Sequence, residues 1–361
     1  MRTVGVEEEL LLIQSDRDAV APVGGAVAAA AAASEDPIVE REFKQEQVEI
    51  GSSPTLELAE LRADLVTLRQ GAAEVAKAHG ARVVAIATSP WKVSPQPTPD
   101  ERYLRMTREF GLLAREQLTC GQHVHVSVHS RAEGVAVLDR IRNWLPVLTA
   151  LSANSPFWQG QDTGYGSFRS VLWGRWPSAG PTELFGDEAG YDEQVEELIR
   201  SGGALDDGMI YFDARLSARY PTVEIRVADV CTDVSDAVLL AALARALVDT
   251  AARAWRNDEP VPAVRTALLR SASWRAARWA VSGTLIDPRD GTQRPAWTVI
   301  DELVELLTPA LAASGDRELV THGLRRLAED GVGAQRQRAV LADRGSLDEV
   351  VADAHVRTLA G

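Results

Sequence analysis

Apolar and polar positions recur along this chain with periods that predict most of its elements. Val4 to Ile13 is apolar apart from Glu7, Glu8 and Glu9, and the run Leu10-Leu11-Leu12-Ile13 predicts a buried strand with acid set inside it. Phe43 to Ile50 alternates, with Gln45, Gln47 and Glu49 on one face and Val48 and Ile50 on the other, as a strand does. A helix is expected to open at Ser53-Pro54, because Leu58, Leu61, Leu65, Leu68, Ala72 and Val75 form one stripe at spacings of three and four that ends near Gly80. Arg82 to Ala87 reads as another buried strand. Thr98-Pro99-Asp100-Glu101 has the form of a capping box with proline at the first helical position, which predicts a helix to about Gln117. His123 to Val128 alternates strictly and predicts a strand, and Leu138, Ile141, Leu145 and Leu148 stripe a helix that stops before Asn154-Ser155-Pro156.

From there to about Gly190 the chain is rich in Gly, Trp, Arg and Pro without a period, a long loop region of the functional kind. Met209 to Asp213 and Thr222 to Val227 read as strands. Beyond Ser235 the periodic Ala-, Leu- and Arg-rich segments are helical, broken at Asn257 to Pro260, Gly283 to Pro295, Gly315 and Gly331. Ala26 to Ala33 predicts a short helix, being too short to span a bilayer, which takes about 20 residues. Strands first and helices last suggest an α+β fold with an antiparallel sheet and a helical C-terminal layer.

Composition narrows the partners. The 361 residues carry a formal charge of −14, which argues against nucleic acid or anionic membrane, since phosphate is held by surplus Lys and Arg; a local basic pocket for a small anion stays open. Cys120 and Cys231, far apart, make neither a disulfide scaffold nor a Cys-based zinc site. Glu7 to Glu9 interrupt any apolar core of a signal peptide, so a cytoplasmic protein is expected.

The chain has no phosphate-binding Gly-x-x-x-x-Gly-Lys-Ser/Thr, no Gly-x-Gly-x-x-Gly, no Gly-x-Ser-x-Gly and no His-Glu-x-x-His. What it has is functional groups two apart on predicted strands: Glu7 and Glu9, Gln47 and Glu49, His123 and His125, Glu224 and Arg226. Residues two apart on a strand share a face. For any one pair a solvated face or a salt bridge is the ordinary reading, and a hydrogen-bonded core pair accounts for the two histidines as well as ligation does. Glu7 and Glu9 stand out because apolar residues flank them, and buried carboxylates need a metal or a cationic partner. Four such faces suggest one shared cavity, in which glutamates with a histidine could bind a divalent metal. Hard oxygen ligands favour Mg²⁺ or Mn²⁺ over zinc.

Gly5-Val6-Glu7-Glu8-Glu9-Leu10, Gln47-Val48-Glu49, Cys120-Gly121-Gln122-His123-Val124-His125-Val126, Arg219-Tyr220-Pro221-Thr222-Val223-Glu224-Ile225-Arg226-Val227-Ala228-Asp229 and Gly333-Ala334-Gln335-Arg336-Gln337-Arg338 occur in that order. Together they resemble the YbdK-type carboxylate-amine ligases of the glutamate-cysteine ligase type 2 family. The resemblance covers nearly the whole chain, so residues 1–361 are expected to form a single ligase domain, mainly sheet-forming over 1–233 and mainly helical over 234–361. It implies a glutamine-synthetase-like fold, a curved antiparallel sheet forming a funnel with flanking helices, holding ATP, two or three Mg²⁺ and the substrates. It also implies an activity: a substrate carboxylate takes the γ-phosphate of ATP to give an acyl phosphate, and an amine displaces phosphate to form an amide, with glutamate and cysteine as the default pair.

Carried over by motif, Glu7, Glu9, Glu49 and Glu224 are the implied Mg²⁺ ligands, with His123 as a further ligand, and His125 and Ser127 on the same strand face are implied nucleotide contacts. Arg226 is the first candidate for the phosphate or acyl phosphate, with Arg215 and Arg219 behind it. Arg169 and Arg175, in the Gly/Trp-rich region, either grip a substrate carboxylate over the funnel or stack on Trp173 and Trp176. Cys120 is read as inert packing, His79, His129, His322 and His355 as structural or surface residues, and Gly331 to Arg338 as a helix start. Where the family often has Gly-Thr-His-Pro this chain has Ala87-Thr88-Ser89-Pro90, which weakens transfer of the substrate pair if that segment touches substrate. Two rivals stay open, a metal-dependent amide hydrolase and a non-catalytic nucleotide- or amino-acid-binding protein. The hydrolase requires strand-end ligands on a parallel barrel. A homodimer is left open as the assembly.

Overall fold

The structure, a computed structural model, describes residues 1–33 and 39–360. Its centre is a seven-stranded sheet made of β1 (Val4–Gln14), β2 (Glu40–Arg41), β3 (Gln47–Gly51), β4 (Ala81–Val84), β5 (Gly121–Ser127), β6 (Ala214–Leu216) and β7 (Thr222–Asp229). The order is β2-β3-β1-β5-β7-β6, with β4 pairing the far end of β1, and every pairing is antiparallel. Register decides what stands beside what. Glu9 lies opposite Glu49, Glu7 opposite His123, and Glu224 opposite both His125 and Arg215.

The alternate residues of β1, Val4, Val6, Glu8, Leu10 and Leu12, are all fully or almost fully buried. The helices behind this sheet include α1 (Leu58–Ala78) and α3 (Val234–Arg256), which pack on each other and on the central strands. Between them in sequence comes the short α2 (Phe168–Trp173), and the chain ends on α4 (Gly333–Arg344) and α5 (Leu347–Leu359). The helix-facing residues of β1 are apolar except Glu8, and α1 answers it with Arg69. The guanidinium donates to both Glu8 oxygens, at 2.7 and 2.8 Å, and to the carbonyls of Cys231, Thr232 and Thr358. Both side chains are wholly inaccessible to solvent. One buried cation thus joins β1, α1, the segment after β7 and α5.

Several elements differ from the sequence expectations, each for a local reason. The stripe of α1 holds but the helix opens at Leu58, because Thr55 pairs with Val4 and Ser53 donates its N–H to Asp64. The expected strand from Phe43 starts only at Gln47, and that from Arg82 ends at Val84. The Thr98 capping box does not form: Thr98 is buried with its hydroxyl donating to the Glu42 carbonyl, and Asp100 caps a helix that runs from Glu101 to Phe110. Gly111, at φ +56°, breaks that helix from a further turn over Leu112–Glu116. The striped segment after β5 is two helices, Arg131–Ile141 and Leu145–Ser152. Met209 to Phe212 is buried without being a strand, Phe212 making only an isolated bridge to Gly180; the strand begins at Ala214. The loop expected over 154–190 holds a small hairpin, Phe157–Trp158 with Gln161–Asp162, and α2. The low-complexity stretch forms a helix over Gly24–Ala31. No helix among the described residues is long and apolar enough to cross a membrane.

The Gly331 to Arg338 motif does more than start a helix. Gln337 donates to both the backbone and side-chain oxygens of Asn154, at 2.9 and 2.7 Å, and a Cβ at Gly333 would collide with the Asn154 side chain. Arg336 pairs with Asp233 and Asp236, and Arg338 with Asp162. Asn154 in turn donates its N–H to Asp229 at the end of β7, so this motif clamps the C-terminal helices to the sheet.

Removing one partner of the Glu8–Arg69 pair leaves the other charge buried and unmatched. Arg69→Met is expected to lower unfolding free energy in urea by about 3–5 kcal/mol, and adding Glu8→Gln to recover part of it; a double variant as weak as the single would contradict the pairing.

Candidate active site

On the sheet face away from α1 and α3 lies a cavity of about 780 Å³. The odd-numbered residues of β1 point Glu7 and Glu9 into it; β3 contributes Glu49, β5 His123 and His125, β7 Glu224 and Arg226, and β6 Arg215. Arg219 and Tyr220, on the turn between β6 and β7, stand at the rim. Glu7, Glu49 and His123 form one set whose donor atoms all lie within 4.8 Å of one another; Glu7, His125 and Glu224 form a second, and Glu9, Glu42 and Glu49 a third. The sets overlap at Glu7 and Glu49. Glu42 was not anticipated, although Glu40-x-Glu42 repeats the two-residue spacing of the other acids just ahead of β3.

Burial and neighbouring charges together set the charge states. Glu7 meets His123 Nδ1 at 3.4 Å and His125 Nε2 at 3.2 Å; burial works against its charge, but these two rings outweigh it and hold the carboxyl far below the usual range. Burial likewise works against Glu224, and Arg226 and Arg215 overcome it, Arg215 donating at 2.7 and 3.2 Å to the two oxygens. His123 is pushed down to about 4 by burial and by Arg226, so its ring is neutral and offers a lone pair. Glu9 is pushed up to about 8 by burial and by the Glu42 charge, despite the N–H of Gly121 at 2.5 Å and the Arg169 and Arg226 charges, and Glu49 is raised by the same causes. Like charges directly opposite on a sheet are destabilising, and buried ones more so. The group is therefore short of positive charge. Its hard oxygens with imidazole suit Mg²⁺ or Mn²⁺, and His123 Nε2 is buried with no hydrogen-bond partner.

Three candidates from the sequence sit elsewhere. Arg169 is not over the funnel: it is buried on α2, stacked 5.6 Å from Trp173, donating to the Arg226 carbonyl and lying so close over Gly121 that a Cβ there would collide with Nη2. Arg175 pairs with Glu116 at 2.9 Å. The Ser127 hydroxyl accepts the Thr3 N–H at the end of β5. None of the three lines the cavity. Of the stacking partners expected for these arginines, Trp173 has Arg169, while Trp176 stacks on Phe43, Phe110 and Tyr211 instead. Ser89, where the family motif has histidine, is buried away from the cavity. Cys120 is buried with its thiol raised by that burial, as inert packing requires. His79, His129, His322 and His355 do not line the cavity either.

The profile described as Glutamate-cysteine ligase family 2 (GCS2) matches residues 3–353. The chain belongs to glutamate-cysteine ligase family 2. A Frankia alni protein named provisionally as glutamate–cysteine ligase 2-2 is 53% identical, the match covering 97% of this chain and 95% of that one. A Streptomyces coelicolor protein named provisionally as glutamate–cysteine ligase 2 is 51% identical over the whole of both chains. Among solved structures, the Francisella tularensis glutamate–cysteine ligase in complex with AMP superposes with a TM-score of 0.72 at 12% identity, covering 100% of this chain and 89% of that one. A bifunctional glutathione synthetase from Pasteurella multocida gives 0.69 at 15% identity, covering 99% of this chain and 52% of that one. The fold of this GCS2 member is thus that of the glutamate–cysteine ligases, a mixed α/β fold on an antiparallel sheet, and the protein is a ligase. The antiparallel sheet leaves the hydrolase rival without the parallel barrel it requires.

A carboxyl that the folded chain holds protonated up to about 8, against an ordinary value of 4.5, contributes its stability in full below pH 4.5 and loses it as pH rises to about 8. In EDTA the melting temperature is therefore expected to fall across that window, Mg²⁺ to restore it towards the upper end, and Glu9→Gln to flatten the slope. An unchanged slope in Glu9→Gln would contradict the buried acid cluster.

Proposed function

We propose that this GCS2-family ligase is an ATP-dependent carboxylate–amine ligase that works through an acyl phosphate, with glutamate as the acid and cysteine as the default amine of its family. The observation that carries it is three overlapping ligand sets on one sheet face, two of carboxylates with an imidazole and one of carboxylates alone, with Arg226 and Arg215 bonded to the carboxylate at their edge. Phosphoryl transfer is mostly positioning and neutralisation of charge, which is what such an arrangement supplies. Binding of AMP by the Francisella tularensis enzyme supports a nucleotide in this fold.

Glu7, Glu9, Glu42, Glu49 and Glu224, with His123 and His125, would hold divalent metal. When bound there, the metal offsets the charge of the triphosphate. The remaining work falls to side chains. A substrate carboxylate oxygen attacks the γ-phosphorus as the bond to ADP breaks. Arg226, whose guanidinium the Glu224 charge keeps protonated against the opposing effect of burial, balances charge on the transferring group. The amine nitrogen then bonds to the acyl carbon, the acyl C–O bond breaks, and phosphate leaves with the electron pair. The tight Arg215–Glu224–Arg226 cluster keeps both cations fixed before substrate arrives, so little reorganisation is needed during transfer.

With Mg²⁺, ATP and glutamate, hydroxylamine is expected to trap the acyl phosphate as a hydroxamate in step with ADP release, and Glu224→Gln to lower that rate on the order of 10²–10³-fold. ADP release without an acid substrate, or undiminished in Glu9→Gln or Glu224→Gln, would overturn the mechanism.

A further inference from the structure

The cavity has a second wall of different chemistry. Phe43, Tyr103, Trp176, Tyr211 and Trp173 all line it, and their rings touch in series. Centroids are 5.5 Å apart for Phe43 and Tyr103, 6.5 Å for Phe43 and Trp176, 5.6 Å for Trp176 and Tyr211, and 4.6 Å for Tyr211 and Trp173. The arc meets the acidic centre at two points: the Phe43 N–H donates to Glu42 at 2.8 Å, and at the Trp173 end the Arg226 guanidinium lies 5.9 Å from the ring. Besides His123, His125 and Arg226, two further cavity-lining side chains keep buried polar atoms without partners: Trp176 Nε1, a donor, in a residue 2% exposed, and Gln117 Oε1, an acceptor, in one 3% exposed. Native interiors seldom leave such atoms unpaired, so each calls for a partner in the cavity.

Metal, triphosphate and the reacting carboxylate are charged groups that gain little from five rings. The other flank, with His125, Arg215, Ser217 and the exposed Arg219 and Tyr220 at the β6–β7 turn, is the polar one, and there His125 already bonds Thr222 at 3.0 Å and meets Tyr220 edge-on. That flank suits the nucleotide, which leaves the arc to the remaining organic reactant. Aromatic faces favour apolar or flat bodies and attract the positive end of an amine, and Glu42 stands where the arc meets the acids. We infer that the arc formed by Phe43, Tyr103, Trp176, Tyr211 and Trp173 is the acceptor-amine subsite and selects primary amines with an apolar or aromatic body over cysteine, an assignment that rests on the ligase chemistry proposed above. The amine gives up a proton to a cavity carboxylate, its nitrogen bonds to the acyl carbon, and phosphate departs with the electrons of the broken C–O bond.

The test uses the full chain with Mg²⁺, ATP and glutamate, and compares amide formation with phenethylamine, cysteine and hydroxylamine. Hydroxylamine is too small to need the arc, so it reports on the acyl phosphate alone. The expected result is hydroxamate formation together with a kcat/KM for phenethylamine about tenfold or more above that for cysteine. Tyr103→Ala and Trp173→Ala are expected to raise KM for phenethylamine roughly tenfold, well beyond any rise in KM for ATP. Hydroxamate formation with cysteine equal to or better than phenethylamine overturns the subsite and leaves the ligase standing. A rise in KM for ATP instead gives the arc to adenine and also overturns it. No hydroxamate at all removes the ligase chemistry and the subsite with it.

Discussion

Five carboxylates held on one side of a sheet repel one another, and much of the architecture answers that repulsion. They are brought together by register: Glu9 against Glu49, Glu7 against His123, Glu224 against His125. A slip of one residue in β1 would turn Glu7 and Glu9 into the helix layer and put Glu8 in the cavity, because strand side chains alternate. The Glu8–Arg69 pair opposes that slip. Arg69 is wholly buried and spends its donors on Glu8 and three backbone carbonyls, so it has no second arrangement in which its charge is matched. A pair of this kind adds little net stability compared with apolar packing, and its value here lies in specifying one register for the strand that carries the acids.

A second chain of contacts reaches the acids across the start of β5. Arg169 crosses Gly121, whose N–H donates to Glu9, and its own N–H donates to Ser155, which with Ser167 bonds the buried Asp229. Asp229 also accepts the N–H of Asn154, the residue gripped by Gln337. Among the described residues Arg169 makes no ion pair within 4 Å, yet Asp229 and Glu9 are its leading electrostatic partners. A buried guanidinium thus stands in the protein itself as part of the countercharge to the acid cluster. The glycine at 121 is required by closeness, not by backbone torsion, since any side chain there would displace the cation.

What could be read from the sequence follows from how local the signal was. The faces of β1, β3, β5 and β7 were legible because period two is a property of each strand alone, and acids two apart on an apolar strand are too costly to bury unless a cation or a metal meets them. Glu42 was missed because it precedes β3 on a segment with hardly any pairing of its own, and the aromatic arc because its rings come from unrelated segments that only tertiary packing unites. The Thr98 box failed for a related reason: its hydroxyl has a better partner in the Glu42 carbonyl, and Asp100 was equally able to cap. Met209 to Phe212 shows that an apolar run reports burial without reporting strand. Arg169 was found by sequence but misplaced, since nothing local says that a loop arginine will be drawn under a glycine.

The two walls of the cavity are built from different kinds of element, and that difference bears on how such a ligase can diversify. The acids and histidines sit almost entirely on paired strands, where hydrogen bonds fix the backbone and a shift of one group moves its neighbours. The rings come from a helix after residue 100, from α2 and the turn that follows it, and from the segments before β3 and β6, which make only isolated bridges. Residues on rigid elements hold geometry, and residues on connecting segments tolerate exchange. A change of ring size or polarity on the second wall would therefore reshape what the cavity accepts while the sheet keeps its charge pattern. Relatives about half identical across their full length, as the Frankia and Streptomyces proteins are, have ample room for such changes without disturbing the strands. The chemistry of activation and the choice of acceptor are in this way physically separable, one fixed by register and the other by side-chain packing.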